Sequence, residues 1–370
     1  MSDTKLQSGM KLGFGLMRLP KNADGTSSVE VTSAMVDRFL EAGGTYFDTA
    51  YAYGDSEATI KKALVDRYPR ERYTLTTKLI AFGANMTEEK AKNQIYESLE
   101  RTGAGYFDLY LLHSIQRPNY RFYEEYGLWD YVKELKAKGL IRHYGFSFHA
   151  DPELLEELLT AHPDVEYVQL QVNYVDMENP GVNARKNLEI CRKYGKQVIV
   201  MEPVKGGILA DPIPEVKEIF AQSGRERSCA GWALAFAASQ DPVFVVLSGM
   251  SNVAQMEDNL HWMKGFVSLD AEERKVVDAA AAAYDGDKSI PCTACHYCTK
   301  DCPMQIPIPE IFHIENHKKG NVEFRLKREY TIATVGRGKA SDCLACGQCE
   351  SACPQHLPII SLLEKCRAME

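Results

Sequence analysis

Phe107-Asp108-Leu109-Tyr110-Leu111-Leu112, then the amphipathic helical pattern Leu128–Lys138, then Arg142-His143-Tyr144-Gly145-Phe146-Ser147, reads as strand, helix, strand. Strands joined through a helix run parallel, because the helix returns the chain to the same end of the sheet. Outward from this unit the same alternation extends from Leu12 to Met250. It predicts strands at Leu12–Gly15, Tyr46–Thr49, Tyr73–Lys78, Phe107–Leu112, Arg142–Ser147, Val165–Gln171, Gln197–Glu202 and Val243–Ser248. Helical patterns intervene, such as Ser33–Glu41, Glu57–Asp66, Glu88–Arg101, Glu153–Thr160, Ala184–Tyr194, Glu215–Gln222 and Cys229–Ser239. Each helix buries its apolar stripe on the sheet. Eight repeats over this length predict an α/β fold, the (β/α)8 TIM barrel. A doubly wound open sheet competes, but no Gly-rich dinucleotide fingerprint follows the first strand.

After the eighth strand, Asn252–Met263 and Ala271–Tyr284 read as helices, and Asp285-Gly286-Asp287 breaks the pattern. The boundary is expected there, giving a barrel over 1–286 and a second domain over 287–370. The whole 370-residue chain carries 43 Lys and Arg against 51 Asp and Glu, net −8, which argues against a nucleic-acid partner. Its last 84 residues hold 11 basic against 10 acidic side chains, so the acidity lies in the first part. Met1-Ser2-Asp3-Thr4-Lys5 contains no apolar signal core, and the most apolar stretch, Cys229–Ala238, is too short to span a bilayer. The expectation is a cytoplasmic protein with no membrane partner.

Nine of the 11 cysteines lie between Cys292 and Cys366. Cys292, Cys295, Cys298 and Cys302, followed by Pro303, repeat the spacing of Cys343, Cys346, Cys349 and Cys353, followed by Pro354. At this cysteine frequency one such run arises by chance about 3 times in 100,000. The run is that of thiolates wrapping a 4Fe–4S cluster, with the fourth Cys serving the other cluster. Cys292, Cys295, Cys298 and Cys353 are thus expected on one cluster, and Cys343, Cys346, Cys349 and Cys302 on the second. Two zinc sites are the alternative, although zinc has no need of the full run ending in Cys-Pro. A tail this short needs such staples to be stable. The 40 residues between Cys302 and Cys343 include helical candidates, so the tail is expected to be a small, mostly helical ferredoxin-like iron–sulfur domain.

Polar residues appear where three strands run out: Asp48, Lys78 and His113, with Tyr53 in the loop after Asp48. Strand C-terminal ends form the catalytic face of such barrels, so the four can converge. Singly, each has an ordinary reading as a cap, a surface cation or a packing ring; together on one rim they suggest chemistry. The chain here resembles the aldo/keto reductase family. The matching segments are Leu12-Gly13-Phe14-Gly15-Leu16-Met17-Arg18-Leu19-Pro20, Phe47-Asp48-Thr49-Ala50-Tyr51-Ala52-Tyr53-Gly54, Thr77-Lys78, Leu111-Leu112-His113, Gly145-Phe146-Ser147, Gln171-Val172-Asn173-Tyr174 and Met256-Glu257-Asp258-Asn259. The whole chain is similar to the subgroup with a C-terminal two-cluster ferredoxin-type domain.

The resemblance implies an NADP or NAD cofactor and carbonyl reduction by hydride transfer from its reduced form, NADPH or NADH. Tyr53 would be the general acid; a phenol of pKa ~10 is too weak unless the Lys78 cation, balanced by Asp48, favours phenolate. His113 would orient the carbonyl and donate to the developing oxyanion. Tyr51 is the competing phenol, and the family's spacing selects Tyr53. Ser147 and Gln171 would bind the carboxamide, Met201 would pack on the nicotinamide in place of the usual Tyr, and Asn259 would reach the adenine. Lys205 would approach the pyrophosphate. Gly249 and Gln255 stand where relatives that prefer NADPH carry Lys and Arg, so weak discrimination between NADH and NADPH is expected. Phe148 departs from the usual Asn. The long segment Ser114–Trp129, rich in rings, reads as a loop that walls the substrate pocket or packs against the ferredoxin-type tail. The partners expected are a small-molecule carbonyl and a separate redox carrier for the clusters. A hydride carries two electrons and each cluster takes one, so the alternative is a cofactor- or redox-sensing binding protein whose clusters are structural or dock a partner.

Overall fold

The computed structural model describes residues 9–83, 85–284, 289–316 and 323–370. They part into two compact units: Met1–Val204 with Leu209–Ala282, and Lys205–Ile208 with Ala283–Glu370. The boundary expected at Asp285-Gly286-Asp287 lies outside the described residues.

The first unit is built on β1 (Leu12–Gly15), β2 (Tyr46–Asp48), β3 (Thr74–Leu79), β4 (Phe107–Ile115), β5 (Ile141–Phe148), β6 (Tyr167–Gln171), β7 (Gln197–Met201) and β8 (Val243–Ser248). These strands close into one parallel barrel in chain order, β8 returning to β1 through Phe14↔Ser248. The open-sheet alternative is thereby excluded. Around the barrel run α1 (Val29–Glu41), α2 (Ser56–Ile60), α3 (Glu88–Thr102), α4 (Tyr120–Glu125), α5 (Leu128–Ala137), α6 (Pro152–Ala161), α7 (Ala184–Lys193), α8 (Pro214–Gln222), α9 (Cys229–Ala238), α10 (Val253–Met263) and α11 (Ala271–Ala283).

Inside the barrel, Tyr46, Leu109, Leu111, Tyr167, Ile199, Val245 and Leu247 form a packed core. Such filling makes the barrel a solid scaffold, with chemistry confined to its rim. Gly145 is dictated by this packing, since a Cβ there would stand 2.1 Å from the Tyr167 carbonyl oxygen. Outside, the helices cover the sheet, and their ends are set by local chemistry. Ser28 caps α1, and Gly103 ends α3 at φ 67°, the left-handed region that glycine enters without a Cβ clash.

Two segments depart from expectation. The stretch Ser114–Trp129 is the end of β4, then α4, then the start of α5. Tyr123 is buried with its hydroxyl donating to the His113 carbonyl, and Trp129 stacks on His162 at 3.9 Å. Both rings therefore pack within the barrel unit. The pattern Glu57–Asp66 is likewise not one α-helix, because α2 passes into a π-helical turn over Lys61–Val65.

Asp151 shows how one side chain sets a helix start. Its Oδ1 accepts from the Leu154 amide at 3.0 Å, and its Oδ2 accepts from Arg117 Nε at 2.5 Å. The Arg117 hydrogen bonds hold the carboxyl at about 2, below the ordinary Asp value. A depressed folded value means stability that is present above pH ~4 and lost as pH falls through about 2. Asp151→Ala is expected to cost about 1 kcal/mol at neutral pH. Melting curves from pH 7 to pH 2 should show the gap to wild type closing at the acid end.

The second unit holds α12 (Tyr297–Lys300), α13 (Ile308–Asn316), α14 (Glu323–Thr334), α15 (Gln348–Ala352) and α16 (Ile359–Cys366). Its small core includes Ile306, Ile308, Ile311, Phe312, Leu357, Ile359 and Leu363. Among the described residues no helix is long and apolar enough to cross a membrane.

Candidate active site and thiol cavities

The turn after β2 is pinned before any catalytic side chain is considered. The Thr49 amide donates to the Thr76 carbonyl at 2.9 Å, and the Tyr51 amide to the Lys78 carbonyl at 3.1 Å. The Ser56 hydroxyl links Thr49 Oγ1, 2.8 Å away, to the Leu16 carbonyl at 3.0 Å. Tyr53 thus hangs from a loop tied to both β1 and β3.

Lys78 is fully buried. Its Nζ donates to Asp48 Oδ1 at 2.5 Å and to the Thr49 carbonyl at 2.6 Å, and lies 3.5 Å from the Tyr53 hydroxyl. It also sits 4.9 Å from the centre of the Tyr53 ring. The His113 ring meets Tyr53 edge-on at 5.6 Å. The four side chains singled out from sequence therefore come together. Burial pushes the Asp48 carboxyl up and the Lys78 ammonium down, and the attraction between them opposes both shifts.

Tyr51 is held elsewhere. Its hydroxyl donates to Glu97 at 2.8 Å, and the Arg101 guanidinium lies 4.3 Å over its ring. Burial and the bond to Glu97 raise its pKa, making it the poorer acid. The Glu97 contact adds a physical distinction to the spacing that already favoured Tyr53.

Gln171 and Met201 end β6 and β7 in register, and Ser147 is the last but one residue of β5. Ser147 Oγ accepts from the Ser114 amide at 2.6 Å, which leaves its proton to donate. Gln171 Nε2 donates to Asp176 at 2.9 Å, and Asn173 Nδ2 donates to the same carboxylate at 2.7 Å. Asp176 thereby fixes which end of the Gln171 amide faces the rim. It escaped the sequence reading because nothing local marks a buried Asp as an orienting group. Phe148 is buried against Phe146.

Asn259 is buried and donates to Ser248 Oγ at 2.6 Å, while Gln255 Oε1 accepts from the Ser251 amide at 2.7 Å. The space beside Gly249 holds the stem of Arg18, whose Cδ would lie 3.3 Å from a Cβ there. Lys205 is buried and takes a left-handed φ of 47°, and its segment Lys205–Ile208 groups with the second unit.

In the second unit the thiols form two sets. Cys292, Cys295, Cys298 and Cys353 line one cavity with Phe312 and Ile359. Cys302, Cys343, Cys346 and Cys349 line another with Ile306 and Leu363. Each set is three thiols of one run and the last of the other. Among the described residues no three His, Cys, Asp or Glu side chains are disposed to grip a single metal ion. Four soft sulfurs around an apolar void suit an iron–sulfur centre. Burial and neighbouring thiols push Cys349 up to about 11, and Cys298 higher still. Bound cationic iron supplies the charge that such packed thiolates need.

Both parts of the chain match known families. Residues 11–282 match the aldo/keto reductase family, and residues 291–357 match the 4Fe-4S dicluster domain. An uncharacterized oxidoreductase of Schizosaccharomyces pombe is 28% identical over 296 residues, covering 75% of this chain and 91% of the relative. The holo form of aldo-keto reductase AKR11C1 from Bacillus halodurans superimposes with a TM-score of 0.60 at 26% identity, covering 75% of this chain and 96% of that one. An aldo-keto reductase from Klebsiella pneumoniae in complex with NADPH shares the fold, with a TM-score of 0.58 at 20% identity over 75% of this chain and 92% of that one.

Proposed function

We propose, because the chain belongs to the aldo/keto reductase family, that its barrel reduces a small-molecule carbonyl with NADPH or NADH and that Tyr53 delivers the proton. The protein is an aldo/keto reductase-like oxidoreductase whose C-terminal 4Fe–4S dicluster domain takes two 4Fe–4S clusters. The observation that carries the reading is the buried Lys78 ammonium, shared between Asp48 at 2.5 Å and the Tyr53 hydroxyl at 3.5 Å.

The nicotinamide, when bound, supplies a hydride to the carbonyl carbon. Charge then grows on the carbonyl oxygen, and the protein must neutralise it as it forms. Tyr53 donates its hydroxyl proton to that oxygen, and the Lys78 cation stabilises the phenolate left behind. Asp48 keeps the ammonium paired where no water reaches it. His113, its carbonyl held by the Tyr123 hydroxyl, presents its ring to the same oxygen. The Ser147 hydroxyl and the Gln171 amide are suited to a carboxamide, and Met201 offers a polarisable face to a ring. Asn259 is the candidate for the adenine.

The clusters are proposed to pass single electrons to or from a separate carrier. Purified, cluster-loaded protein supplied with NADPH or NADH and a panel of aldehydes and ketones is expected to consume the cofactor in proportion to alcohol formed. Anaerobic titration with the same cofactors, read by cluster absorbance and paramagnetic signal, separates electron exchange from a purely structural role. Cofactor binding without turnover on any carbonyl would instead favour the sensor reading.

A further inference from the structure

The two thiol-bearing loops of the second unit repeat one backbone form. Ala294 and His296 of the first, and Ala345 and Gly347 of the second, all take a left-handed φ between 49° and 79°. Their surroundings differ. Thr293 of the first loop is buried, and a Cβ at Gly206 of the same unit would stand 2.6 Å from its Cα. The matching residue of the second loop is Leu344, which is 65% exposed. Cys346, beside it, is the one exposed thiol of the eight that line the two cavities.

Leu344 is not alone. Among the described residues six large apolar side chains are exposed, and Ile332, Val335 and Leu344 are three of them. The Val335 amide donates to the Ile332 carbonyl at 3.4 Å, so the two share one side of a helical turn at the end of α14. The chain then passes beside the second cavity. A Cβ at Gly338 would stand 2.2 Å from the carbonyl oxygen of Met304, and Met304 lines that cavity together with Leu344. The Ala340 amide donates to the Tyr330 hydroxyl at 2.7 Å, which ties the segment back to α14.

Charge marks the same stretch. Lys327, Arg328, Arg337 and Lys339 are exposed there, against Glu329 and Asp342, in a chain of net charge −8. Arg337 also reaches Glu310 at 3.4 Å, an exposed pair that is readily exchanged.

We infer that this face is the docking site of an acidic one-electron carrier protein, which exchanges electrons with the cluster of Cys302, Cys343, Cys346 and Cys349. The inference rests on the reading above that the clusters pass single electrons. In each encounter one electron moves between carrier and cluster, so one partner is oxidised by one electron as the other is reduced. No bond is made or broken. The three apolar side chains supply the dry centre of such a contact, and the four cations supply a rim that steers a negatively charged partner. Electron-transfer contacts are small and short-lived, which suits a patch of a few side chains. The first loop, covered at Thr293, lacks this face.

The test uses the cluster-loaded full chain with two acidic carriers, a plant-type 2Fe–2S ferredoxin and a flavodoxin, and with basic cytochrome c as the control. Hydrogen exchange at low salt is expected to slow over residues 331–346 when either acidic carrier is added, and binding should weaken as salt rises. Arg337→Glu with Lys339→Glu should weaken binding about tenfold or more, and Ile332→Ser with Val335→Ser several-fold. Val267→Ser, which changes an exposed apolar residue of the barrel unit, should change nothing. All variants should keep wild-type iron and wild-type electron exchange with a small viologen dye, which needs no docking face. Protection placed on the first loop instead, tighter binding of cytochrome c, or unchanged affinity in both double variants overturns the inference. Clusters that exchange with the dye while neither acidic carrier binds overturn it alone. Clusters that exchange no electrons even with the dye overturn the electron-carrying reading along with it.

Discussion

Tyr53→Phe is expected to cut carbonyl reduction by about 100- to 10,000-fold while dinucleotide affinity stays within about twofold. The variant keeps the ring that meets His113 and loses only the hydroxyl 3.5 Å from Lys78. That hydroxyl acts only as the oxygen gains charge, so the loss should fall on kcat and leave binding alone. The matched control is Tyr51→Phe, whose hydroxyl is engaged by Glu97. It should retain most activity. Lys78→Met should slow reduction too, with a distinct pH signature. Without the cation, Tyr53 holds its proton to higher pH, so the alkaline limb of the rate profile should move up as the plateau falls. Wild-type turnover in Tyr53→Phe would remove Tyr53 from the mechanism and leave the Lys78–Asp48 pair as a structural ion pair.

The barrel was legible because parallel strands covered on both faces leave compact β-rich runs, and the helices between them leave capping residues. β1 and β8 have the expected limits, while β4 runs on to Ile115 because its last residues are still paired with β5. The Tyr120–Glu125 helix was not legible. It is short, and what fixes it is a tertiary contact, the Tyr123 hydroxyl reaching back to His113. The site divides the same way. Asp48, Lys78 and His113 stand out as polar residues at the ends of apolar strands. Asp176 acts only through Gln171 and Asn173. Groups that work by orienting or opposing other groups leave no local pattern in a sequence.

Cys302→Ala is expected to lower iron from about eight to about four per chain, with acid-labile sulfide falling in step. The cluster lost should be the one bound mainly by Cys343, Cys346 and Cys349, since Cys302 lines their cavity and not the cavity of its own run. Two double variants decide the point. In the crossed arrangement Cys302→Ala with Cys343→Ala removes two ligands of one cluster, and about four iron should remain. Cys302→Ala with Cys292→Ala removes one ligand from each cluster, and iron should fall towards zero. If each run served its own cluster, these two results would be exchanged. The crossing also bears on stability. Each cluster joins Cys residues from both ends of the unit, and Ile308 lines both cavities within a small core. Iron binding in such a unit is largely folding energy, because the ligands converge only in the folded chain. Chelation of the iron should therefore melt the second unit as a whole, including α13 and α16, while the barrel keeps the packed interior that no metal supports. Hydrogen exchange before and after anaerobic iron removal should show protection lost beyond residue 290 and retained in β1 to β8.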